Sequence, residues 1–251
     1  MPELFDWRTF PGEFSAAATA HGFVPEVIAD TEDGPIMGWE RAGGGPRVYI
    51  SAGIHGDEPS GPLALLRMME VGFFCESISW TICPALNPGG LSLGTRENRS
   101  QADLNRDYLV HSTSEVAAHS RWLSRRPAPC LFISLHEDWE SEGFYFYEIN
   151  LGEDKPERAA AILTAVNPFF PPEPGPEIDD HEVREDGWIC HRAEADLPES
   201  WPEAIYLAKN GCELSFTLET PSSKDLSKRV AAHQAAVAEI LRHSLPATVN
   251  S

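Results

Sequence analysis

The sequence predicts an α/β fold, and three observations predict it. Three almost uninterrupted apolar runs, Arg47-Val-Tyr-Ile-Ser-Ala-Gly53, Cys130-Leu-Phe-Ile-Ser-Leu135 and Cys212-Glu-Leu-Ser-Phe-Thr-Leu218, read as strands buried on both faces. Stretches of helical periodicity lie between and after them. Each run leads into a residue that can bind a metal or move a proton, His55, His136 or Glu219. Open α/β sheets gather such residues along the carboxyl edge of their strands, so distant positions become neighbours. With 251 residues, 42% of them hydrophobic, the chain can bury one sizeable core. The expectation is a single domain over 1–251, with an N-terminal antiparallel edge at 1–45.

In chain order, Phe5 to His21 reads as a short helix after Pro11-Gly12. Phe23 to Ile28 and Ile36 to Arg41 read as strands joined at Glu32-Asp-Gly-Pro35. After the first buried strand, Pro62 suits the first turn of a helix running from Leu63 to Val71. Ser77 to Cys83 is a strand, and Pro84 to Ser112 is too long to be a plain connector, which makes it a candidate functional loop. Ser112-Thr-Ser-Glu115 reads as a capping box opening a helix that ends near Arg125-Arg126. Phe144 to Ile149 is strand-like, and Glu157 to Val166 is helical. Phe169 to Pro198 is an acidic, proline-rich stretch without periodicity, either a rim or lid over the site or a solvated excursion. Ser200-Trp-Pro-Glu203 starts a helix that stops at Gly211, and Ser222 starts the last one, with Leu226, Val230, Val237 and Leu241 on one stripe.

The formal net charge of -20 and the absence of a basic cluster argue against nucleic acid as a partner. The N-terminus lacks the basic start and apolar core of a signal peptide, and no segment is long enough to span a bilayer. Five scattered cysteines, an odd number, fit reduced thiols better than a disulfide framework. A soluble, cytoplasmic protein is the expectation.

His55 and Glu58, three residues apart at the mouth of a strand, can close on one divalent cation, and His136 supplies a third ligand. Two imidazoles and a carboxylate are the donor set of a hydrolytic zinc site. Taken singly, each is more often an ordinary core or surface residue; three on one edge shift the balance toward a metal. Glu219 is then the free carboxylate, able to take a proton from water and pass it to a departing amine. Asp57 and Glu137 compete for these roles, or orient the ligands beside them. Arg96, Arg99 and Arg106 cluster in the long loop of an otherwise acidic chain and can hold an oxyanion or a substrate carboxylate; ordinary loop salt bridges are the plain alternative.

Together these residues resemble the M14 zinc carboxypeptidases and their succinylglutamate desuccinylase and aspartoacylase relatives. The resemblance rests on Gly53-Ile-His-Gly-Asp-Glu58, Gly94-Thr-Arg96 followed by Asp103-Leu-Asn-Arg106, Leu135-His136, and Thr217-Leu-Glu-Thr-Pro221. It implies a three-layer α/β/α sandwich with a mixed, mainly parallel sheet. It also implies one Zn2+ per chain held by His55, Glu58 and His136, with Glu219 as general acid/base. Arg96 matches the oxyanion-stabilising arginine, Asn105 and Arg106 match the pair that grips a terminal carboxylate, and Arg99 is the alternative in another register. Tyr206, the single tyrosine between Tyr147 and Glu219, is the candidate for the family's mobile tyrosine.

The implied activity is hydrolysis of an amide bond beside a free carboxylate in a small peptide, as in a carboxypeptidase or peptide amidase. N-acyl amino-acid deacylation is the alternative, and a catalytically silent metal- or peptide-binding module is a third reading. The deacylase relatives generally add a β-rich C-terminal domain, whereas only one helix and a short tail follow Glu219 here, which favours the peptidase-like reading.

Overall fold

The computed structural model describes residues 5–246; the two ends of the expected domain, 1–4 and 247–251, lie outside the described residues. The chain runs α1 (Phe10–Ala20), β1 (Val24–Thr31), β2 (Gly34–Arg41), β3 (Arg47–Ala52), α2 (Ser60–Glu70), β4 (Ser79–Cys83), α3 (Pro88–Leu93), a single 3-10 turn (Leu104–Arg106) and α4 (Ser114–Ser124). It continues through β5 (Leu131–Asp138), β6 (Tyr145–Asn150), α5 (Pro156–Val166), β7 (Glu177–Ile178), β8 (His181–Glu182), β9 (Trp188–Cys190), α6 (Glu203–Lys209), β10 (Leu214–Pro221) and α7 (Leu226–Ser244).

Eight strands form one mixed sheet in the order β1-β2-β4-β3-β5-β10-β6-β9. Its centre, β4-β3-β5-β10, is parallel, whereas β1 and β2 make an antiparallel edge and β6 runs antiparallel to β10. The expected α/β architecture is therefore present, with helices covering both faces.

The two-residue period of a strand divides the buried side chains between those faces. Val48, Ile50, Leu131, Ile133, Leu135, Phe216 and Leu218 join the larger core, which also holds Leu65 and Met69 of α2, Ile162 of α5 and Val237 of α7. Tyr49 and Phe132 point the other way, into a smaller core with Val116 and Trp122 of α4 and Leu207 of α6. Strands covered on both sides need no alternation of apolar and polar residues, which is why the runs in the sequence look continuous.

Helix α1 starts at Phe10 rather than Phe5 and α2 at Ser60 rather than Leu63, and the caps of two further helices differ from the sequence reading. The α4 cap is Thr113, whose hydroxyl accepts from the Val116 amide at 3.3 Å, while Ser112 instead donates to Asp107. The last helix starts at Leu226, capped by Asp225 through the Lys228 amide at 3.2 Å, because Ser222 is still tied to the end of β5 through the Asp138 carbonyl.

One buried ion pair fastens the larger face to the strand end that matters most. Glu137, beside His136, accepts from the Ser60 amide at the start of α2 (2.7 Å) and from the Arg229 guanidinium of α7, and its side chain is fully buried. Replacing Arg229→Met strands that carboxylate without its cation, and should lower stability by about 3–5 kcal/mol in chemical denaturation. A loss below about 1 kcal/mol would contradict this role.

Candidate metal centre and catalytic cavity

The turn after β3 presents the first two candidate ligands. Gly53 takes a left-handed φ of +64°, and Gly56 packs so closely on the Gly90 backbone that a Cβ there would overlap it. Asn87 binds this turn to the long loop: its side chain donates to the Ile54 carbonyl (3.1 Å) and the Arg96 carbonyl (3.3 Å), and caps α3 by accepting from the Gly90 amide (2.8 Å). The loop is thus a fitted wall of the site.

His55, Glu58 and His136 meet in a buried cluster, with Glu58 between the two rings. Nδ1 of His55 lies 2.6 Å from one Glu58 oxygen and Nδ1 of His136 lies 3.0 Å from the other. The ligand atoms of the three residues all fall within 4.8 Å of one another. Burial opposes a charge on His55, but Glu58 and Asp103 outweigh it and hold the ring's pKa up to about 9. On His136 burial wins and pushes the pKa down. Glu58 remains well below the usual carboxylate range: burial alone would raise it, and the two imidazoles more than reverse that. Two buried imidazoles and a buried carboxylate, with ligand atoms this close together, fit a zinc-type cation by donor chemistry.

Outer groups fix this trio. Asp103 holds Nε2 of His55 at 3.2 Å and Nε of Arg96 at 3.1 Å, so one carboxylate orients both a candidate ligand and a cation. Arg96 also lies 3.7 Å from Glu58. The orienting residue is therefore Asp103; Asp57 is exposed and Glu137 is committed to Ser60 and Arg229.

Glu219 faces the same cavity. β10 pairs in parallel with β5 so that Glu219 sits opposite His136, and antiparallel with β6 so that it sits opposite Tyr145. Paired residues on neighbouring strands project to the same face, which brings the carboxyl beside the candidate ligands. Burial, with Glu58 nearby, raises its pKa well above the ordinary range. The cavity, about 290 Å³, is lined by His55, Glu58, His136 and Glu219, by Arg96, Asn105 and Arg106 on the loop side, and by Tyr145 and Tyr147 opposite. Asp179, His181 and His191 add a wall from 169–198, so that stretch is a rim of the site.

A family model described as the succinylglutamate desuccinylase/aspartoacylase catalytic domain matches residues 44–125, about a third of the chain. Over 81 residues the chain is 35% identical to murein peptide amidase A of Vibrio campbellii, a match covering 32% of this chain and 32% of that protein. In structure it resembles a candidate metallopeptidase from Shewanella denitrificans with a TM-score of 0.83 at 22% identity, over 96% of this chain and 91% of that one. It also resembles a metallo-carboxypeptidase from Burkholderia cenocepacia, with a TM-score of 0.70 at 17% identity over 96% of this chain and 69% of that one. Residues 44–125 are thus similar to the succinylglutamate desuccinylase/aspartoacylase catalytic domain, and the chain as a whole has the fold of the metallo-carboxypeptidase structures.

Two sequence expectations need correction. Tyr206 does not reach the cavity: α6 turns it toward α4, where its hydroxyl donates to the Ser120 carbonyl at 3.3 Å and its ring packs on Tyr108. Tyr145 and Tyr147 of β6 are the tyrosines that line the site. Arg99 is drawn off to Asp33 on the β1–β2 turn (Nε to Oδ2, 2.7 Å), leaving Arg96 and Arg106 as the loop arginines in the cavity. Asn105 is present, with its side-chain oxygen accepting from the Glu203 amide at 2.9 Å.

Glu203 was not legible as a site residue, since an acidic residue in the first turn of a helix reads as dipole compensation. It lines the cavity and is 1% exposed. Ser51 and Tyr49 donate to its two oxygens at 2.7 and 2.8 Å, and Tyr49 continues to His119 and Tyr108. Burial pushes the Glu203 carboxyl up to about 7, against the two hydroxyls that favour its charge. The folded protein thus holds this proton more tightly than an unfolded carboxyl, whose pKa is near 4.5. Its stabilisation is complete below about pH 4.5 and is lost as pH rises toward about 7, at most about 3 kcal/mol. Between pH 5 and pH 8, wild type should lose about 2.5 kcal/mol more than Glu203→Gln in denaturant unfolding. Parallel pH dependences would contradict it.

Proposed function

We propose that the protein is a zinc-dependent hydrolase that cleaves an amide bond adjacent to a free carboxylate, as a carboxypeptidase or a peptide amidase does. The observation that carries this reading is the pairing of Glu219 with His136 across β10 and β5, which sets a free carboxyl beside the His55–Glu58–His136 trio in one cavity. A module that only bound metal or peptide would have no use for it.

His55, Glu58 and His136 would hold the zinc, which when bound polarises a carbonyl and acidifies water. Glu219 accepts the proton of the attacking water and returns it to the departing amine nitrogen, a task suited to a carboxyl whose surroundings raise its basicity. Arg96, steadied by Asp103, donates to the oxygen that gains negative charge. Arg106 and Asn105 receive the substrate's free carboxylate, with the guanidinium steered by its own contact to the Asn105 carbonyl at 3.0 Å.

A second reading, N-acyl amino-acid deacylation, is favoured by the desuccinylase/aspartoacylase match over residues 44–125. It uses the same residues on a smaller substrate. The five cysteines are all free thiols, which supports a reducing compartment such as the cytoplasm, and no helix among the described residues is long and apolar enough to cross a membrane.

Glu219→Gln should lower turnover at least a thousandfold while His55, Glu58 and His136 still retain zinc; unchanged turnover would refute the assigned role. In a screen of short peptides and N-acyl amino acids, amidation of the C-terminus should abolish cleavage. Arg106→Ala should raise KM for the free-carboxylate substrates far more than it lowers kcat. Equal cleavage of free and amidated peptides would remove Arg106 from carboxylate recognition, and cleavage of acyl amino acids alone would select the deacylase.

A further inference from the structure

The rim contributed by 169–198 carries a second convergence of metal-binding atoms. The hairpin of β7 and β8 turns at Asp179 and Asp180 and presents His181; β9 lies parallel to β6 and is followed by His191, and the chain then returns with Asp196. Nε2 of His181 and Nε2 of His191 each lie 3.3 Å from the same Asp196 oxygen. The three ligand atoms are within 4.8 Å of one another, and all three residues line the cavity that holds Glu219.

The other nitrogen of each ring shows what those Nε2 atoms offer. Nδ1 of His181 sits 2.5 Å from the Asp179 carbonyl, and Nδ1 of His191 sits 2.6 Å from the Arg192 carbonyl. A carbonyl only accepts, so both Nδ1 atoms carry hydrogen, and in the neutral ring Nε2 is a bare lone pair. Two such lone pairs and a carboxylate oxygen then face one another, an arrangement that calls for a cation among them. The imidazole-carbonyl contact is also the usual way a protein fixes the tautomer of a histidine that ligates metal.

The surroundings hold this geometry in place. Tyr147 packs edge-on against both rings, at 5.3 Å from His181 and 5.8 Å from His191, and its hydroxyl donates to the Asp179 carboxylate at 2.5 Å. Asp179 therefore positions His181 through its backbone while β6 holds its side chain. Zinc bonds of about 2.0 Å in a tetrahedron place ligand atoms about 3.3 Å apart, the separation found between each imidazole nitrogen and Asp196.

We propose that His181, His191 and Asp196 form a second divalent-cation site, facing the same cavity as the His55–Glu58–His136 centre. Two nitrogens and one oxygen select zinc or a related transition metal over magnesium or calcium. Three protein ligands leave a fourth position open, available to an anionic group of the substrate. The ion also ties the rim to β6. This site is independent of the one assigned to catalysis.

Zinc is the probe. Protein stripped with a chelator, reloaded with zinc and desalted should retain two ions per chain by elemental analysis. His181→Ala and His191→Ala should each reduce this to one. The pair H55A/H136A should also retain one, and its melting temperature should rise with zinc; adding H181A should abolish both effects. Asp196→Asn alters an exposed carboxylate and leaves the core intact, yet should weaken the second ion at least tenfold. If H55A/H136A is folded and keeps no zinc, or if wild type and H181A bind the same number of ions, the facing rings carry protons and the proposal fails. Neither result bears on whether Glu219 and the first site perform hydrolysis.

Discussion

Glu58 stands between two imidazoles, almost removed from water, with both of its oxygens engaged by ring nitrogens. A carboxylate in such surroundings is costly unless positive charge lies close by. Without a metal, a proton on His55 meets that need, which is why that ring is held basic while His136 is not. A divalent cation answers the same need with its own charge. Much of the surrounding structure serves to hold the three donors in place: Asp103 on the outer side of His55, Asn87 across the base of the turn, and Glu137 with Arg229 beneath the strand that bears His136.

Sheet register then decides what the trio can do. Parallel pairing places Ser51 beside Ser134, and His136 beside Glu219, so the polar positions of three strands form one continuous floor at the carboxyl edge. The residues between them point into the core of α2, α5 and α7. A slip of one residue in β10 would exchange Glu219 for Leu218 or Thr220 and leave the cavity without a free base. The apolar face thus locks the register that assembles the site, and the core's stability and the site's geometry have a common origin.

The sequence revealed His55, Glu58, His136 and Glu219 because strand ends are easily found from apolar runs. It revealed Arg96, Asn105 and Arg106 through motif spacing, although what their loop packs against was invisible. Tyr206 misled because spacing cannot tell which way a short helix turns its residues, and α6 turned this one toward Ser120. Asp103 was visible only as a letter in a motif, and Glu203 looked like a helix-start residue although it lies in a buried hydrogen-bonded chain. In 169–198 the strands are two or three residues long, too short to leave any periodicity, so the meeting of His181, His191 and Asp196 depends on tertiary contacts.

The most direct test is crystallographic, with anomalous scattering recorded on either side of the zinc absorption edge from zinc-loaded protein. The account predicts a zinc peak about 2.0–2.2 Å from His55 Nδ1, His136 Nδ1 and a Glu58 oxygen, with the Glu219 carboxyl turned toward it but not bonded. Zinc absent from that point, with Glu58 still hydrogen-bonded to both rings, would contradict it.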